Sequence, residues 1–196
     1  MKLTVFGAAG RTGQQLVAQA LDRGHDVTAF VRDVGAFGAA SGVRVVQGDA
    51  RDPAAVVDAL TDAQAVVSVL ALMSADAEPQ HSDATRTIVG AAERLGVRRV
   101  VLAANNDVLG DAEVTGEFAA HAREHRRNRE TLRASGLDWT IGAAPWVTDD
   151  PATGRYRAVP DAKAPGRRLP SADLATFALD ALERDDWVGR IVGVSS

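Results

Sequence analysis

A short glycine-rich segment near the start of the chain has the composition of a phosphate-binding loop. It follows the apolar run Lys2–Phe6 and precedes a stretch of helical period, which is the context that such loops require. Glycines let the backbone turn tightly and approach a pyrophosphate, and the free N–H groups of a helix start favour anions. A tight turn that binds no ligand is the alternative. The segment consists of Gly7, Ala8, Ala9, Gly10, Arg11, Thr12 and Gly13.

The residues after the second predicted strand bear on which dinucleotide this loop would hold. In NAD-specific folds that strand ends in an acid that bonds the ribose 2′-OH, whereas an arginine there accepts a 2′-phosphate. Here Val31 is followed by Arg32 and Asp33. Arg11, inside the loop, can supply a second guanidinium to the same phosphate. The two arginines favour NADP(H), while Asp33, which could serve a 2′-OH instead, keeps NAD(H) open.

Polar and aromatic side chains follow the fifth and sixth predicted strands, where a second ligand would meet the dinucleotide. Asn105 and Asn106 could hydrogen-bond a carboxamide or a substrate carbonyl, or could simply end a strand. Trp146 could form a stacking face for a planar acceptor, or could fill space behind the sixth strand. His121 and His125 have a helical spacing that can bind a metal. No third ligand is evident, so we predict surface histidines and no metal site.

The elements that must position these residues alternate along the chain. Apolar, β-branched runs predict strands, and they are nearly continuous, which is typical of a sheet buried on both faces. Segments of helical period between them predict one α/β domain over 1–196, a Rossmann-like, doubly wound, mainly parallel sheet of about seven strands flanked by helices. The strands are predicted at Lys2–Phe6, Asp26–Val31, Val43–Gln47, Ala65–Leu70, Arg98–Ala104, Asp138–Ala143 and Arg190–Val194, and the helices at Arg11–Arg23, Pro53–Leu60, Ser82–Leu95, Glu117–Ala134 and Ala172–Glu183. Residues 73–81, 106–116 and 147–170 follow strand ends and are the predicted substrate loops.

The spacing Gly-x-x-Gly-x-x-Gly resembles that of the atypical, NmrA-like branch of the short-chain dehydrogenase/reductase superfamily. Residues 132–140, 144–156 and 169–174 narrow the resemblance to the biliverdin/flavin reductase family of NADPH-dependent reductases. The resemblance implies an acid that bonds the adenine amino group and small residues that run beneath the dinucleotide. The further cofactor contacts that it implies are Asp49, Ala50, Leu70, Ala71, Leu72, Ala144 and Pro145.

The sequence departs from that family beside the expected nicotinamide. The family's Pro-Pro-His histidine is replaced by Trp146, and its serine after the fifth strand by Asn105. The Tyr-x-x-x-Lys pair of ordinary short-chain dehydrogenases is also absent, since Tyr156 is the only tyrosine and Pro160 stands four residues on. Reducing a ketone needs a positioned acid, whereas a flavin, bilin or quinone spreads the incoming charge over a conjugated system. The sequence therefore predicts an NAD(P)H-dependent reductase of a planar conjugated acceptor.

Two other functions stay open at this point. One is a non-catalytic, NmrA-like sensor of NADP(H), and the other is an isomerase or dehydratase, against which the missing Tyr/Lys pair counts.

The net charge of -4 provides no general attraction to nucleic acid or anionic membranes. The absence of cysteine excludes disulfides and thiolate nucleophiles. With no targeting segment or apolar stretch of about 20 residues in the sequence, we expect a cytoplasmic protein whose partner is a small-molecule acceptor, in an oligomeric state that stays open.

Overall fold

Strands and helices alternate in the order that the hydrophobic pattern predicts. The computed structural model describes residues 1–38, 41–71, 80–111 and 114–196, with the side chains of Gln80 and Glu117 left out. The strands are β1 (Lys2–Phe6), β2 (Asp26–Val31), β3 (Val43–Gln47), β4 (Ala65–Ser68), β5 (Arg99–Asn105), β6 (Asp138–Ala144), β7 (Trp146–Thr148), β8 (Arg157–Pro160), β9 (Arg168–Pro170) and β10 (Arg190–Ser195). The helices are α1 (Arg11–Asp22), α2 (Val34–Phe37), α3 (Pro53–Leu60), α4 (Gln80–Leu95), α5 (Ala119–Ala134) and α6 (Ser171–Leu182).

Eight strands form one large sheet in the order β3-β2-β1-β4-β5-β6-β10-β8. Seven of them are parallel, and β8 pairs antiparallel with β10 at one edge. The strand order reverses at β1, with β2 and β3 on one side and β4 on the other. Ligands of open α/β sheets bind at such a switch point, outside the carboxyl ends of the strands. The predicted Rossmann-like fold is confirmed, with an eighth strand that the hydrophobic pattern did not mark.

Helices cover both faces of the sheet, which explains why its inner strands β1, β4 and β6 are almost wholly buried. On one face α1 and α6 pack together, with Leu16 and Phe177 fully buried against the sheet. On the other face α3, α4 and α5 pack side by side, with Val56, Ile88 and Leu132 in the core. The two layers hold the carboxyl ends of the strands in fixed positions.

The segment 147–170, predicted as an irregular substrate loop, contains regular structure. β7 pairs with β9 in a small parallel sheet, and β8 extends the main sheet. These strands have three or four residues each, too few for a hydrophobic period to show in the sequence. Of the other predicted loops, residues 106–109 form a 3-10 turn. Residues 72–79, 112 and 113 lie outside the described residues.

Candidate functional site

The glycine loop joins β1 to α1 in a conformation that only glycine allows at two positions. Gly7 has a φ of 83°, and a Cβ atom there would lie 2.9 Å from the Val69 carbonyl oxygen. A Cβ atom on the buried Gly13 would overlap the Gly7 carbonyl oxygen and lie 2.7 Å from the Ala8 Cα atom. The first glycine therefore lets the loop approach the end of β4, and the last lets α1 pack closely against the loop.

The start of α1 is exposed and positively polarised. Gly10 precedes the helix without a side-chain hydrogen bond to it, and the first turn holds Arg11 and Thr12 but no acidic residue. The first N–H groups of a helix have no intrahelical partner, and the helix dipole places partial positive charge there. This cradle, which has no room for a Cβ atom at Gly7 or Gly13, fits the pyrophosphate of a dinucleotide.

An open cleft of about 320 Å³ lies beside the glycine loop at the ends of β2, β3 and β4. Its wall is formed by the glycine loop, by the segments at the ends of these strands and by the first turns of α4. Eight of the predicted cofactor residues line it: Gly7, Ala9, Gly10, Arg32, Asp49, Ala50, Leu70 and Ala71. Of the other predicted residues, Leu72 lies outside the described residues, and Ala144 and Pro145 lie at the end of β6.

A second arginine in the cleft was missed by the sequence analysis. Arg51 lines the cleft with Arg32, and its guanidinium donates three hydrogen bonds to Asp49, with Nε 2.9 Å from Oδ1 and 3.1 Å from Oδ2 and with Nη2 2.5 Å from Oδ2. These hydrogen bonds lower the pKa of Asp49 to about 2. Asp33 accepts the Gly35 N–H at 2.8 Å and caps α2. The signal that could have revealed Arg51 is its position two residues after the acid that follows β3.

Arg11 lies apart from this group of charges. Its Nη1 atom is 3.0 Å from Oδ2 of Asp149, in the segment after β7, and Arg11 is not among the residues that line the cleft. The structure therefore brings Arg32 together with Arg51, where the sequence analysis paired it with Arg11. The Arg11–Asp149 ion pair instead ties the glycine loop to the segment that follows Trp146.

Asn105 ends β5, and Trp146 begins β7, two residues after the end of the neighbouring strand β6. Asn105 is in register with Ala144 at the end of β6. The Asn105 amide donates to Oδ2 of Asp107 at 2.9 Å and accepts the Asp107 N–H at 3.0 Å, so it caps the following turn. Trp146 is 70% exposed, which excludes the alternative that it fills space behind β6.

The hydroxyl of Tyr156 is already engaged by the protein. It donates to Oδ2 of Asp180 at 2.5 Å, and the ring packs edge-on against Phe177 with centroids 5.7 Å apart. Burial, followed by the Asp180 hydrogen bond, raises the pKa of Tyr156. The proton of this hydroxyl is therefore held by Asp180 and is not available to a ligand.

The prediction of surface histidines is wrong for His125. Its side chain is 8% exposed because α5 turns this face toward α4, and its ring meets that of His81 at 5.5 Å between centroids. Burial lowers the pKa of His125 to about 3. In the described part of the chain, no group of three His, Asp or Glu side chains is placed to hold a metal ion. No helix in that part is long and apolar enough to cross a bilayer.

The switch-point cleft, the glycine cradle and the uncapped helix start define an NAD(P)-binding Rossmann protein. The family model for NAD(P)H-binding proteins matches residues 7–185 of the chain, which is most of its length. The chain belongs to this NAD(P)H-binding family, and the match confirms the resemblance that the glycine spacing indicated.

Known proteins with the same fold include two reductases. A protein of Streptococcus pneumoniae assigned as an NADH-flavin reductase has a TM-score of 0.82 and 23% identity, covering 99% of this chain and 98% of that chain. An anaerobilin reductase of Escherichia coli O157:H7 has a TM-score of 0.84 and 23% identity, covering 99% and 96%. These similarities show the shared fold.

A steroid dehydrogenase is among the relatives by sequence. The 3 beta-hydroxysteroid dehydrogenase/Delta 5-->4-isomerase of Mycobacterium tuberculosis (strain CDC 1551 / Oshkosh) is 33% identical over 128 residues, which make up 59% of this chain and 35% of that protein. The chain spans 35% to 44% of the length of the curated relatives that it matches. The part that they share is therefore less than half of each relative.

Proposed function

We propose that this protein is a reductase that uses NADPH to reduce a planar conjugated acceptor, such as a flavin, a quinone or a bilin-like molecule. Trp146 is the observation that carries the proposal. Its indole is 70% exposed at the carboxyl edge of the sheet, beside the end of β5. A large exposed aromatic ring in this place offers a stacking face to a flat ligand.

The proton chemistry of the site agrees with such an acceptor. When bound, a reduced nicotinamide supplies a hydride, which carries two electrons to the acceptor. Tyr156 cannot protonate the product, because its hydroxyl is held by Asp180 and its pKa is raised by burial. A flavin, quinone or bilin spreads the new charge over its rings and can take its proton from water. Holding the two reactants face to face is then the main contribution of the protein.

The choice of NADPH over NADH rests on Arg32 and Arg51. Both line the cleft at the ends of β2 and β3, where the adenosine ribose of a dinucleotide would lie. Their guanidinium groups can form paired hydrogen bonds with a 2′-phosphate. Asp33, which could have served a 2′-OH, is engaged with the Gly35 N–H. The two cations together favour a phosphate on the ribose.

The names of the two structural neighbours support the acceptor class. One is assigned as a reductase of flavin and the other is an anaerobilin reductase. The steroid dehydrogenase among the relatives acts on a different class of substrate, but only 35% of its length is shared. The exposed Trp146 and the engaged Tyr156 favour the first class.

The proposal is tested by following NADPH oxidation at about 340 nm with FMN, a quinone and a ketosteroid as separate acceptors. We expect turnover with FMN or the quinone and none with the steroid. Trp146→Ala should raise the KM for the acceptor about ten-fold, while Trp146→Phe, which keeps a stacking ring, should restore most of the loss. Phe118→Ala removes another exposed ring, 52% exposed, and serves as the control.

A non-catalytic sensor of NADP(H) is the alternative function. It shares the cofactor cleft but needs no acceptor site, so the same experiment separates the two. Tight NADPH binding without oxidation by any of the three acceptors would rule out the reductase and leave the sensor. Turnover of the ketosteroid alone would assign the protein to the dehydrogenases.

A further inference from the structure

A cluster of polar side chains is buried between α4 and α5, directly behind the cofactor cleft. Its members are His81, Ser82, Glu124, His125 and Asn128, and each is less than a tenth exposed. Burying polar groups costs free energy unless they are hydrogen-bonded. The proposed reductase chemistry uses none of them, so their presence in the core needs another reason.

Part of the cluster stabilises the start of α4. Glu124, which is fully buried, accepts the Ser82 N–H at 2.8 Å and the Ser82 hydroxyl at 3.1 Å. Arg127 donates to the same carboxylate at 2.6 Å. A carboxylate at a helix N-terminus satisfies unpaired N–H groups and meets the positive end of the dipole. Glu124 is therefore explained by the helix that it caps.

His81 is different, because it faces the cleft as well as the core. It lines the cleft together with Leu70, and its Nε2 atom is 2.9 Å from the Leu70 carbonyl oxygen. A carbonyl oxygen only accepts hydrogen bonds, so Nε2 carries the hydrogen. Burial lowers the pKa of His81, which favours the neutral ring, in which Nδ1 is an acceptor. Nδ1 lies 2.7 Å from the amide nitrogen of Asn128, which donates to it.

The hydrogen bond from His81 holds the chain just beyond the end of β4. The ladder of β4 ends at Ser68, and the Val69 N–H still bonds the Phe6 carbonyl at 3.0 Å. Val69, Leu70 and Ala71 then form one wall of the cleft without being part of a strand. The contact of Val69 with Gly7 positions one end of this wall, and His81 positions the next residue.

We propose that His81 is a positioning residue for dinucleotide binding. It fixes the backbone at Leu70 through its Nε2–H, and Asn128 fixes the ring in the tautomer that makes this bond possible. The proposal rests on the assignment of the cleft to the dinucleotide. Because residues 69–71 line the cleft on the side away from the arginines of β2 and β3, the loss of His81 weakens NADPH and NADH binding equally.

The test compares two leucine variants of neighbouring histidines. His81→Leu and His125→Leu make the same chemical change in the same buried cluster, but only the first removes the bond to Leu70. Their melting temperatures and their Kd values for NADPH and NADH are measured by thermal unfolding and calorimetry. His81→Gln, whose amide can again donate to the Leu70 carbonyl, is the rescue variant.

We expect His81→Leu to raise both Kd values about ten-fold, the loss of one buried hydrogen bond, with His125→Leu within about two-fold of the parent protein. His81→Gln should recover most of the affinity. Equal Kd values for all variants would overturn the proposal. Equal weakening of dinucleotide binding by both leucine variants would overturn it as well, because it would indicate a general loss of packing in the core. Failure of the parent protein to bind either dinucleotide would overturn it together with the proposed function. Binding without turnover of any acceptor would overturn the proposed function alone.

Discussion

At the scale of single residues, the cleft combines two arginines, Arg32 and Arg51, with two carboxylates, Asp33 and Asp49. Asp49 is flanked by Arg51, which donates to both of its oxygens, and Arg32 lines the same cleft. The pKa of Asp49, lowered to about 2, keeps the carboxylate ionised at every pH of interest. The two positive and two negative charges balance, so a phosphate on the ribose would be held by guanidinium hydrogen bonds rather than by net charge.

Removing either cleft arginine should weaken the binding of NADPH far more than the binding of NADH. We expect Arg32→Ala and Arg51→Gln each to raise the Kd for NADPH about ten-fold, the value of one charge-assisted hydrogen bond reduced by solvent screening. The Kd for NADH should stay within about two-fold, which a titration of each cofactor will show. Arg44→Gln, an exposed arginine paired with Asp58, is the matched control. Equal weakening of both dinucleotides would exclude the 2′-phosphate role.

The glycines of the loop provide a second prediction at this scale. Gly13→Ala forces a Cβ atom against the Gly7 carbonyl and the Ala8 backbone, neither of which can move without disturbing β1. We expect it to lower the free energy of unfolding by about 2 kcal/mol or more, measured by urea denaturation. Gly90→Ala, in α4 where no atom lies within 4 Å of the added Cβ, should instead stabilise by up to about 1 kcal/mol. A neutral Gly13→Ala variant would contradict the close packing of α1.

At the scale of elements, Asp173 joins α6 to the segment between β7 and β8. Its side chain is buried at the start of α6, where it accepts the N–H groups of Thr153 and Gly154 at 3.1 Å and the hydroxyl of Ser196 at 3.1 Å. The turn at residues 153–154 is thereby attached to a helix rather than left free. The proposed acceptor site lies on the chain leading into this turn.

Asp173→Asn should loosen this attachment. The new amide group would turn a donor toward N–H and O–H donors, so we expect a loss of about 2 to 3 kcal/mol in the free energy of unfolding. Asp161→Asn provides the comparison, since its exposed ion pair with Arg190 should contribute about 1 kcal/mol or less. Urea denaturation of both variants tests this. Equal losses in the free energy of unfolding would show that the buried hydrogen bonds of Asp173 contribute no more than the exposed ion pair.

The elements also show what the sequence could predict and what it could not. β1 to β6 and β10 have continuous apolar runs, and the six-residue β2 was predicted to the residue. β7, β8 and β9 depend on tertiary pairing rather than on their own pattern. The glycine loop was predictable because only glycine fits at its crowded positions. The Arg51–Asp49 and Arg11–Asp149 pairs were not predictable, because they depend on the directions of the side chains. His125 was misjudged because polar residues on a helix normally face water.

At the scale of the whole molecule, the buried histidines make stability depend on pH. An unfolded histidine has a pKa of about 6.5, while burial lowers that of His125 to about 3. Below pH 6.5 the unfolded chain binds a proton that the folded chain does not, so the free energy of unfolding falls as the pH falls. Between pH 7.5 and pH 5, His125 alone should lower the free energy of unfolding by about 2 kcal/mol.

This dependence can be measured by urea denaturation across that pH range. His125→Leu should have a shallower slope than the parent protein, because one of the buried neutral histidines is gone. The pKa of His81, also lowered by burial, adds a contribution of the same sign that the variant retains. Identical slopes would show that His125 is able to take up a proton in the folded protein.

The position of β10 has a consequence for how the molecule assembles during synthesis. Of the described strands, β10 is synthesised last, yet it lies between β6 and β8, and it is the strand with which the edge strand β8 pairs. The wall of the cofactor cleft, from β1 to the start of α4, can therefore form while the ribosome is still extending the chain. The edge strand β8 has to wait until β10 is synthesised, because β10 is its partner in the sheet. The nucleotide side of the sheet can thus form early through nearby contacts, whereas the edge beyond β6 is completed only when β10 pairs with β6 and β8.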